Sequence, residues 1–357
     1  MISIILNALV PIYFVLALGY LAGRFKRVDN HRVAELNALV MEFALPASLF
    51  AATLRTPSQA LIGQWPMVVV LGVGMLVIYA IAYFLQRRVF GLGTQEAAVQ
   101  ALTIALPNYA AAGLPLISSV FGQSQIILVA ISIACGSIIV SPLTLTLLEV
   151  GKSDNPGGQT FGRIVRSMRN SVLKPIVMAP ILGVLLSLLG VSLPPLLGSS
   201  LDLIGRAAGG VALFLTGLIL SAQPFKLNAN VVSGTLLKNI VHPLVAIGIV
   251  ILVPMPAEIA RAAIILSAVP SGFFGILFGL RYGIQSQQAG STLIASSVLS
   301  AITVAAAILL PTPGGTAGRP KTPDVTLDLQ MPYLAASAPH TDMTWRERRQ
   351  RMLCSNR

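Results

Sequence analysis

Apolar residues form long runs along the chain, and short segments rich in charges, proline or glycine separate them. A helix needs roughly 20 consecutive apolar residues to cross the hydrocarbon layer of a membrane. Four runs reach that length without interruption, at residues 2–23, 67–85, 126–148 and 289–310. The pattern predicts helices that span a membrane, with further spans around polar or proline interruptions.

Ten spans result when the chain is divided at its charged and Pro/Gly-rich breaks. They lie near residues 2–23, 34–53, 66–86, 97–120, 126–149, 172–190, 201–222, 231–253, 259–280 and 287–310. The predicted fold class is therefore an all-α integral membrane protein with ten transmembrane helices.

Composition agrees with this prediction, because 55% of the 357 residues are hydrophobic and only 10% are charged. No soluble domain needs that balance to fill its core. The first run has no positive segment before it and no small-residue cleavage pattern after it, so we interpret it as a span and not as a secretory signal. Cys135 and Cys354 indicate neither a disulfide framework nor a metal site, and nothing suggests a cofactor.

Basic residues account for the net charge of +12, and those outside the spans and the tail lie mostly in alternate loops. Thirteen follow spans one, three, five, seven and nine, whereas Arg55 alone lies in the intervening loops. Because loops rich in Lys and Arg stay in the cytoplasm, the pattern predicts an inner-membrane protein with both termini on the non-cytoplasmic side. Basic residues scattered in this way do not indicate a nucleic-acid partner.

The chain contains an internal repeat of five spans. Span four reads ALTIALPNYAAAGLPLI and span nine reads AAIILSAVPSGFFGILFGL, each with a proline, a small polar residue and then small, Gly-containing sequence. Pro107 and Pro270 are 163 residues apart, and the same offset carries spans three and five close to spans eight and ten. Because five is odd, the second copy enters the membrane in the opposite sense, so the repeat is inverted.

The repeat predicts four divisions of the chain. They are a first five-helix repeat at 1–149, a cytoplasmic loop at 150–171, a second, inverted repeat at 172–310 and a tail at 311–357. The tail is polar and Pro-rich and ends in a cluster of arginines, which predicts disorder. A partner-binding arm is the alternative.

Each proline of the repeat should break its span near the middle, because proline removes a backbone donor and clashes with the preceding turn. Asn108 follows Pro107 and Ser271 follows Pro270, and both residue types are favoured helix N-caps. Two half-helix N-termini would then meet near the bilayer centre, where free amides and partial positive charge suit a carboxylate. These four residues form the predicted anion site, and kinks tolerated by neighbouring helices are the alternative.

Ionisable side chains within spans are costly and are functional candidates by default. Glu42 in span two is a candidate for ion coupling, and Lys238 in span eight could meet either the substrate charge or Glu42. His242 is a candidate proton relay, although a hydrogen-bonded packing role is commoner for such a histidine. Arg206 and Arg261 are expected to extend towards the membrane interface.

Four motifs carry a resemblance to a known family: LNALVMEFALPASLF in span two, LPNYAAAGLPL in span four, LLKNIVHPL in span eight and AVPSGFFGILFGLRYG in span nine. In this order and spacing, the chain resembles a bacterial member of the auxin efflux carrier family over residues 1 to about 310. The resemblance implies a scaffold of spans 1, 2, 6 and 7 beside a transport unit of spans 3 to 5 and 8 to 10. It also implies carriage of organic anions such as malate or malonate, although Ser271 replaces an asparagine often found in the family.

Together these features predict a secondary transporter that moves small mono- or dicarboxylates by alternating access, with a proton or cation coupled where uptake is required. The short loops hold no nucleophile and base pair, metal-ligand cluster or phosphate-binding loop, so an enzyme is not expected. A cation or proton antiporter using Glu42 and a membrane-embedded solute sensor are the alternatives. The sequence leaves open whether the protein forms a homodimer.

Overall fold

The computed structural model describes residues 2–30, 33–57, 63–151, 162, 169 and 173–311. All regular elements within these ranges are helices, and one isolated β-bridge joins Pro107 to Ser271. The helices are α1 Ile2–Arg24, α2 Ala34–Arg55, α3 Trp65–Arg88, α4 Thr94–Ala105, α5 Tyr109–Phe121, α6 Gln123–Val150, α7 Pro175–Leu188, α8 Pro195–Ala222, α9 Ala229–Leu252, α10 Ala257–Ala268, α11 Phe274–Arg281 and α12 Gln287–Leu309. The predicted loop at 150–171 and tail at 311–357 lie almost entirely outside the described residues.

Seven of these helices, α1, α2, α3, α6, α8, α9 and α12, are long and apolar enough to cross a membrane. Helices α5 and α7 are shorter apolar helices, and short breaks separate α4 from α5 and α10 from α11. These are the properties of a multi-pass helical membrane protein. The largest difference from the predicted bounds is at α8, which begins at Pro195 and not near 201, because a proline in the first turn of a helix needs no N–H partner.

Three helices contain a π-helical turn shortly before a proline. The turns are Leu39–Ala44 before Pro46, Tyr109–Gly113 before Pro115, and Leu237–Val241 before Pro243. A proline ring clashes with the carbonyl one turn earlier and offers no N–H, and a widened turn accommodates both defects. The turns therefore follow from the positions of the prolines.

The helices pack in two groups. We name α1, α2, α7 and α8 the scaffold group, because α1 packs along α8 and α2 packs against α7 and α8. A Cβ atom at Gly217 of α8 would overlap the Leu16 carbonyl of α1, so the two backbones are in direct contact, as small residues allow in membranes. We name the remaining helices, α3 to α6 and α9 to α12, the crossover group. The two groups meet where α5 passes α1 and α8, where α6 packs against α2 and α7, and where α12 packs against α1.

Buried polar side chains hold one end of the crossover group together. The Asn230 amide of α9 donates a hydrogen bond to Gln86 of α3. The Gln100 amide of α4 donates to Asn230 at 3.2 Å and to the Thr292 hydroxyl of α12 at 2.8 Å. Four helices are thus joined by buried side-chain hydrogen bonds at this end of the crossover group.

Candidate functional site

Two broken helices cross at the centre of the crossover group, and backbone hydrogen bonds join their breaks. The Asn108 N–H donates to the Pro270 carbonyl at 2.8 Å, and the Gly272 N–H donates to the Leu106 carbonyl at 2.8 Å. A Cβ atom at position 272 would lie 2.7 Å from the Leu106 oxygen, so only glycine fits this contact. The crossing therefore depends on the prolines that end α4 and α10 and on the glycine that lets the two chains touch.

The first break agrees with the sequence prediction. Asn108 caps α5, because its Oδ1 atom accepts a hydrogen bond from the Ala111 N–H at 3.3 Å. Its Nδ2 atom donates to the Thr216 hydroxyl of α8 at 3.2 Å, and both side chains are buried. Sequence reasoning missed Thr216, because a threonine in an apolar span gives no sign of a partner 108 positions away.

The second break corrects the prediction that Ser271 caps a half-helix. Helix α11 begins at Phe274, and Phe273 occupies the position before it without a side-chain cap. Ser271 is instead part of the extended crossing, where its N–H donates to the Ser296 hydroxyl of α12 at 3.0 Å. The Ser271 Oγ atom is buried without a hydrogen-bond partner among the described residues. It is therefore a polar group at the crossing that a ligand could satisfy.

Lys238 lies beside the second break. Its side chain is fully buried, and its Nζ atom donates to the Ser267 carbonyl at 2.7 Å, near the end of α10. No ion pair joins it to an acidic side chain within the described ranges. His242, about one turn further along α9, is also buried, and its Nδ1 atom has no partner in the same part of the chain. A lysine amine is thus buried beside the second break, and no carboxylate of the described ranges contacts it.

The other ionisable candidates lie elsewhere. Glu42 is exposed on the π-helical turn of α2, and neither a hydrogen bond nor an ion pair between described residues joins it to Lys238. Arg206 lines a cavity between the two groups, next to the bidentate pair that Arg55 and Asp202 form at 2.9 Å. Arg261 lies near the start of α10. Its guanidinium donates a hydrogen bond to the Ile308 carbonyl near the end of α12 at 3.0 Å.

Two larger cavities flank the crossover along α8. One, of about 900 Å³, is lined by residues of α2, α5 and α8, including Arg206 and Gly209. The other, of about 360 Å³, is lined by α8 residues from Ile219 onwards and by α11. Between them, beside Asn108 and Leu213, a space of only about 10 Å³ remains, which is about enough for one water molecule. The crossover thus lies between two open spaces that are lined by different stretches of α8.

Lys174 approaches the crossover from the other side. It precedes α7 and lines a cavity of about 30 Å³ together with Pro107 and Tyr109. Its Nζ atom lies 4.9 Å from the ring centroid of Phe278, so the amine packs against an aromatic face. The structure thus places a half-buried lysine amine next to the first break.

Comparison with known proteins gives the family. A family model described as membrane transport protein matches residues 4–308. The uncharacterized transporter YfdV of Escherichia coli (strain K12) is 27% identical over 307 residues, which cover 85% of this chain and 96% of the relative. A putative malonate transporter of Rhizobium meliloti is 26% identical over 86% of this chain and 95% of its own length. Auxin efflux carrier component 8 of Arabidopsis thaliana is 20% identical over 79% and 90% of the two chains.

The fold and these matches define a multi-pass membrane protein of a transporter class. The chain belongs to the membrane transport protein family, whose members are transporters and not enzymes. The resemblance to auxin efflux carriers is thereby confirmed, because carriers of that name are among its relatives.

Proposed function

We propose that the protein is a secondary transporter that moves small mono- or dicarboxylates by alternating access. The observation that carries the proposal is the pair of cavities, about 900 Å³ and about 360 Å³, on either side of a crossover with almost no free space. A carrier of this kind needs a central site that opens to one side at a time. Movement of the crossover group past α8 would connect the central site with each cavity in turn.

The proposed architecture is ten spans in two inverted repeats. Helices α4 with α5 form the broken fourth span, and α10 with α11 form the broken ninth span. Their breaks meet through the Pro107 and Ser271 bridge, as two copies of opposite orientation would. The repeats correspond to 1–149 and 172–310, and short apolar α7 supplies the sixth span.

The proposed binding site consists of Asn108 and Ser271 with the adjoining Pro107 and Pro270, and Lys238 behind the second break. Hydrogen-bond donors and a cation favour an anion, and none of the acidic residues in the described ranges lines the pocket beside Asn108. Carboxylates are the proposed class because one relative is named a putative malonate transporter. Lys238 lies behind the second break, where its amine binds the Ser267 carbonyl of α10 at 2.7 Å.

Coupling is proposed to depend on direction. An inside-negative potential favours anion exit by about 2.3 kcal/mol per charge per 100 mV, so uptake requires a co-transported proton or cation. His242 is the better placed of the two coupling candidates, because it is buried one turn from Lys238, whereas Glu42 is exposed on α2. Both remain candidates for the proton or cation site.

A binding screen tests the proposal. Purified protein is heated in detergent with a panel of mono- and dicarboxylates that includes malonate, since a ligand that binds the folded state raises the melting temperature. We expect at least one carboxylate to do so, and to bind about tenfold or more weakly to folded Asn108→Ala. If no carboxylate stabilises the protein, the substrate class is wrong. If Asn108→Ala binds as tightly as the parent, the anion does not bind at the crossover.

Orientation in the membrane is proposed from the loop charges. Both termini should face the non-cytoplasmic side of the inner membrane, with Lys226 in a cytoplasmic loop. In a Cys354→Ser background, an impermeant maleimide added to cells should label Thr312→Cys and leave Lys226→Cys unlabelled. The buried Cys135 does not interfere. The opposite labelling pattern would show that the termini face the cytoplasm.

A further inference from the structure

The Asn108 side chain is already bound within the protein at both of its polar atoms. Its oxygen accepts from the Ala111 N–H at 3.3 Å, and one of the two N–H groups on its nitrogen donates to the Thr216 hydroxyl at 3.2 Å. The first bond lies within the crossover group and caps α5. The second crosses to α8 of the scaffold group, so it joins the two bodies at the proposed binding site.

Thr216 is oriented to accept this bond. Its hydroxyl donates its own proton to the Ala212 carbonyl at 2.8 Å, which leaves the oxygen lone pairs free for Asn108. A hydroxyl oxygen in that position is a hydrogen-bond acceptor for the Asn108 amide, as a carboxylate oxygen would be. The adjoining space of about 10 Å³ cannot admit a carboxylate while this contact and the helix packing around it persist.

We infer that Thr216 is a placeholder for the substrate: in the empty carrier it accepts the Asn108 hydrogen bond that a carboxylate oxygen accepts in the loaded carrier. This inference rests on the proposed function, in which Asn108 binds the anion. A charged acceptor forms a stronger hydrogen bond than a neutral hydroxyl, so a carboxylate can displace Thr216. Displacement removes a bond between α8 and the first break, and so couples substrate binding to release of the crossover group from the scaffold group.

Thr216→Val tests the inference, because valine keeps the shape of threonine and removes the acceptor. The empty variant leaves the Asn108 donor buried and unsatisfied, and a carboxylate then binds without having to displace a partner. We expect Thr216→Val to bind malonate about threefold to tenfold more tightly than the parent. Thr216→Ser keeps the hydroxyl and should bind as the parent does.

Ser221→Ala is the matched control on the same helix. The Ser221 hydroxyl accepts from the Asn30 amide at 2.9 Å and donates to the Leu218 carbonyl at 2.7 Å, away from the crossover. Its loss should leave malonate affinity unchanged. In the double variant Asn108→Ala with Thr216→Val, the gain from the valine should disappear, because the donor for which substrate and Thr216 compete is absent.

Hydrogen exchange provides a readout that needs no ligand. In the empty protein, Thr216→Val should speed amide exchange at Ala111, Ala112 and Gly113 severalfold, because all three amides donate to Asn108 and their first turn loses its tie to α8. Ser221→Ala should leave exchange at these amides unchanged. Unchanged exchange in Thr216→Val would overturn the inference whether or not malonate binds.

The binding outcomes separate the inference from the proposed function. If Asn108→Ala weakens malonate binding but Thr216→Val binds with parental or lower affinity, the carrier site stands and Thr216 is not a placeholder. If Asn108→Ala binds malonate as the parent does, the proposed site fails and the inference fails with it. Tighter binding by Thr216→Val that vanishes in the double variant supports both.

Discussion

A side chain of the scaffold group holds the first break of the crossover, whereas side chains of the crossover group itself hold the second. At the first break, Asn108 reaches Thr216 across the boundary between the groups. At the second, the Ser271 N–H binds Ser296, which in turn donates to Asn239 at 2.7 Å. The two breaks have equivalent places in the proposed repeat, yet their contacts differ.

The difference indicates separate roles for the two halves of the site. In the proposed transport cycle a contact between groups breaks when one group moves past the other, so we expect the first break to exchange partners. A contact within a group persists during such a movement, so the second break can provide a fixed platform. Lys238 belongs to the platform, because it binds the Ser267 carbonyl of α10, which leads into that break.

Gly272→Ala should have the largest effect, because it removes the contact on which both breaks depend. The added Cβ would lie 2.7 Å from the Leu106 carbonyl oxygen, which is backbone and cannot rotate away. We expect the variant to lose about 2–4 kcal/mol of stability, measured as a lower melting temperature in detergent. Gly248→Ala is the control, because Gly248 is exposed on α9 with nothing within 4 Å of the added atom. Equal melting temperatures for the two variants would mean that the breaks do not touch.

Ser296→Ala should have a moderate effect, confined to the second break. It leaves the buried Ser271 N–H without an acceptor and the Asn239 oxygen without a donor. The expected loss is about 1–2 kcal/mol of stability. Ser297→Ala removes a neighbouring buried hydroxyl that binds only the Leu293 carbonyl of its own helix, and it should cost less than about 0.5 kcal/mol. If the two variants have the same melting temperature, Ser296 does not stabilise the second break.

The sequence could predict contacts between residues that are near one another along the chain, but not contacts between distant segments. The Asn108 cap was predicted correctly, because a cap depends on a proline, a small polar residue and the helix that follows within four positions. The same local rule failed at Ser271, because Gly272 pairs with Leu106 and delays the start of α11 to Phe274. A backbone pairing between distant segments outweighed a local preference.

Contacts between distant helices account for what the sequence did not predict. Thr216 and Ser296 lie in apolar spans, where Ser and Thr commonly bond to their own helix. Neither could therefore be recognised from the sequence as a partner of a break. The exposure of Glu42 was also not predicted, because the apolar residues around it do not determine which side of α2 the carboxylate lies on. By contrast, the class of a helical membrane protein followed from run length and composition alone.

Lys238→Met should change binding much more than stability. Methionine fills a similar volume, and removing a buried charge offsets the loss of the hydrogen bond to Ser267, so stability should stay within about 1 kcal/mol of the parent. Affinity for the carboxylate should fall about tenfold or more, because the amine that would carry the positive charge opposite a bound anion is gone. Lys226→Met, on an exposed lysine, should leave affinity unaltered. Parental affinity in folded Lys238→Met would remove Lys238 from the anion site.

Of the variants at the crossover, Ser271→Ala should have the smallest effect on stability. Its hydroxyl has no hydrogen-bond partner among the described residues and caps no helix, so its removal should change stability by less than about 0.5 kcal/mol. An orphan hydroxyl at the crossing is nevertheless available to a ligand, and loss of its bond to a carboxylate should weaken binding about tenfold. Ser271→Ala therefore separates binding from structure more cleanly than Asn108→Ala, which also removes a cap. Weaker binding at an unchanged melting temperature would place the anion against both breaks. Parental binding would restrict the anion to the first break, where Asn108 exchanges partners.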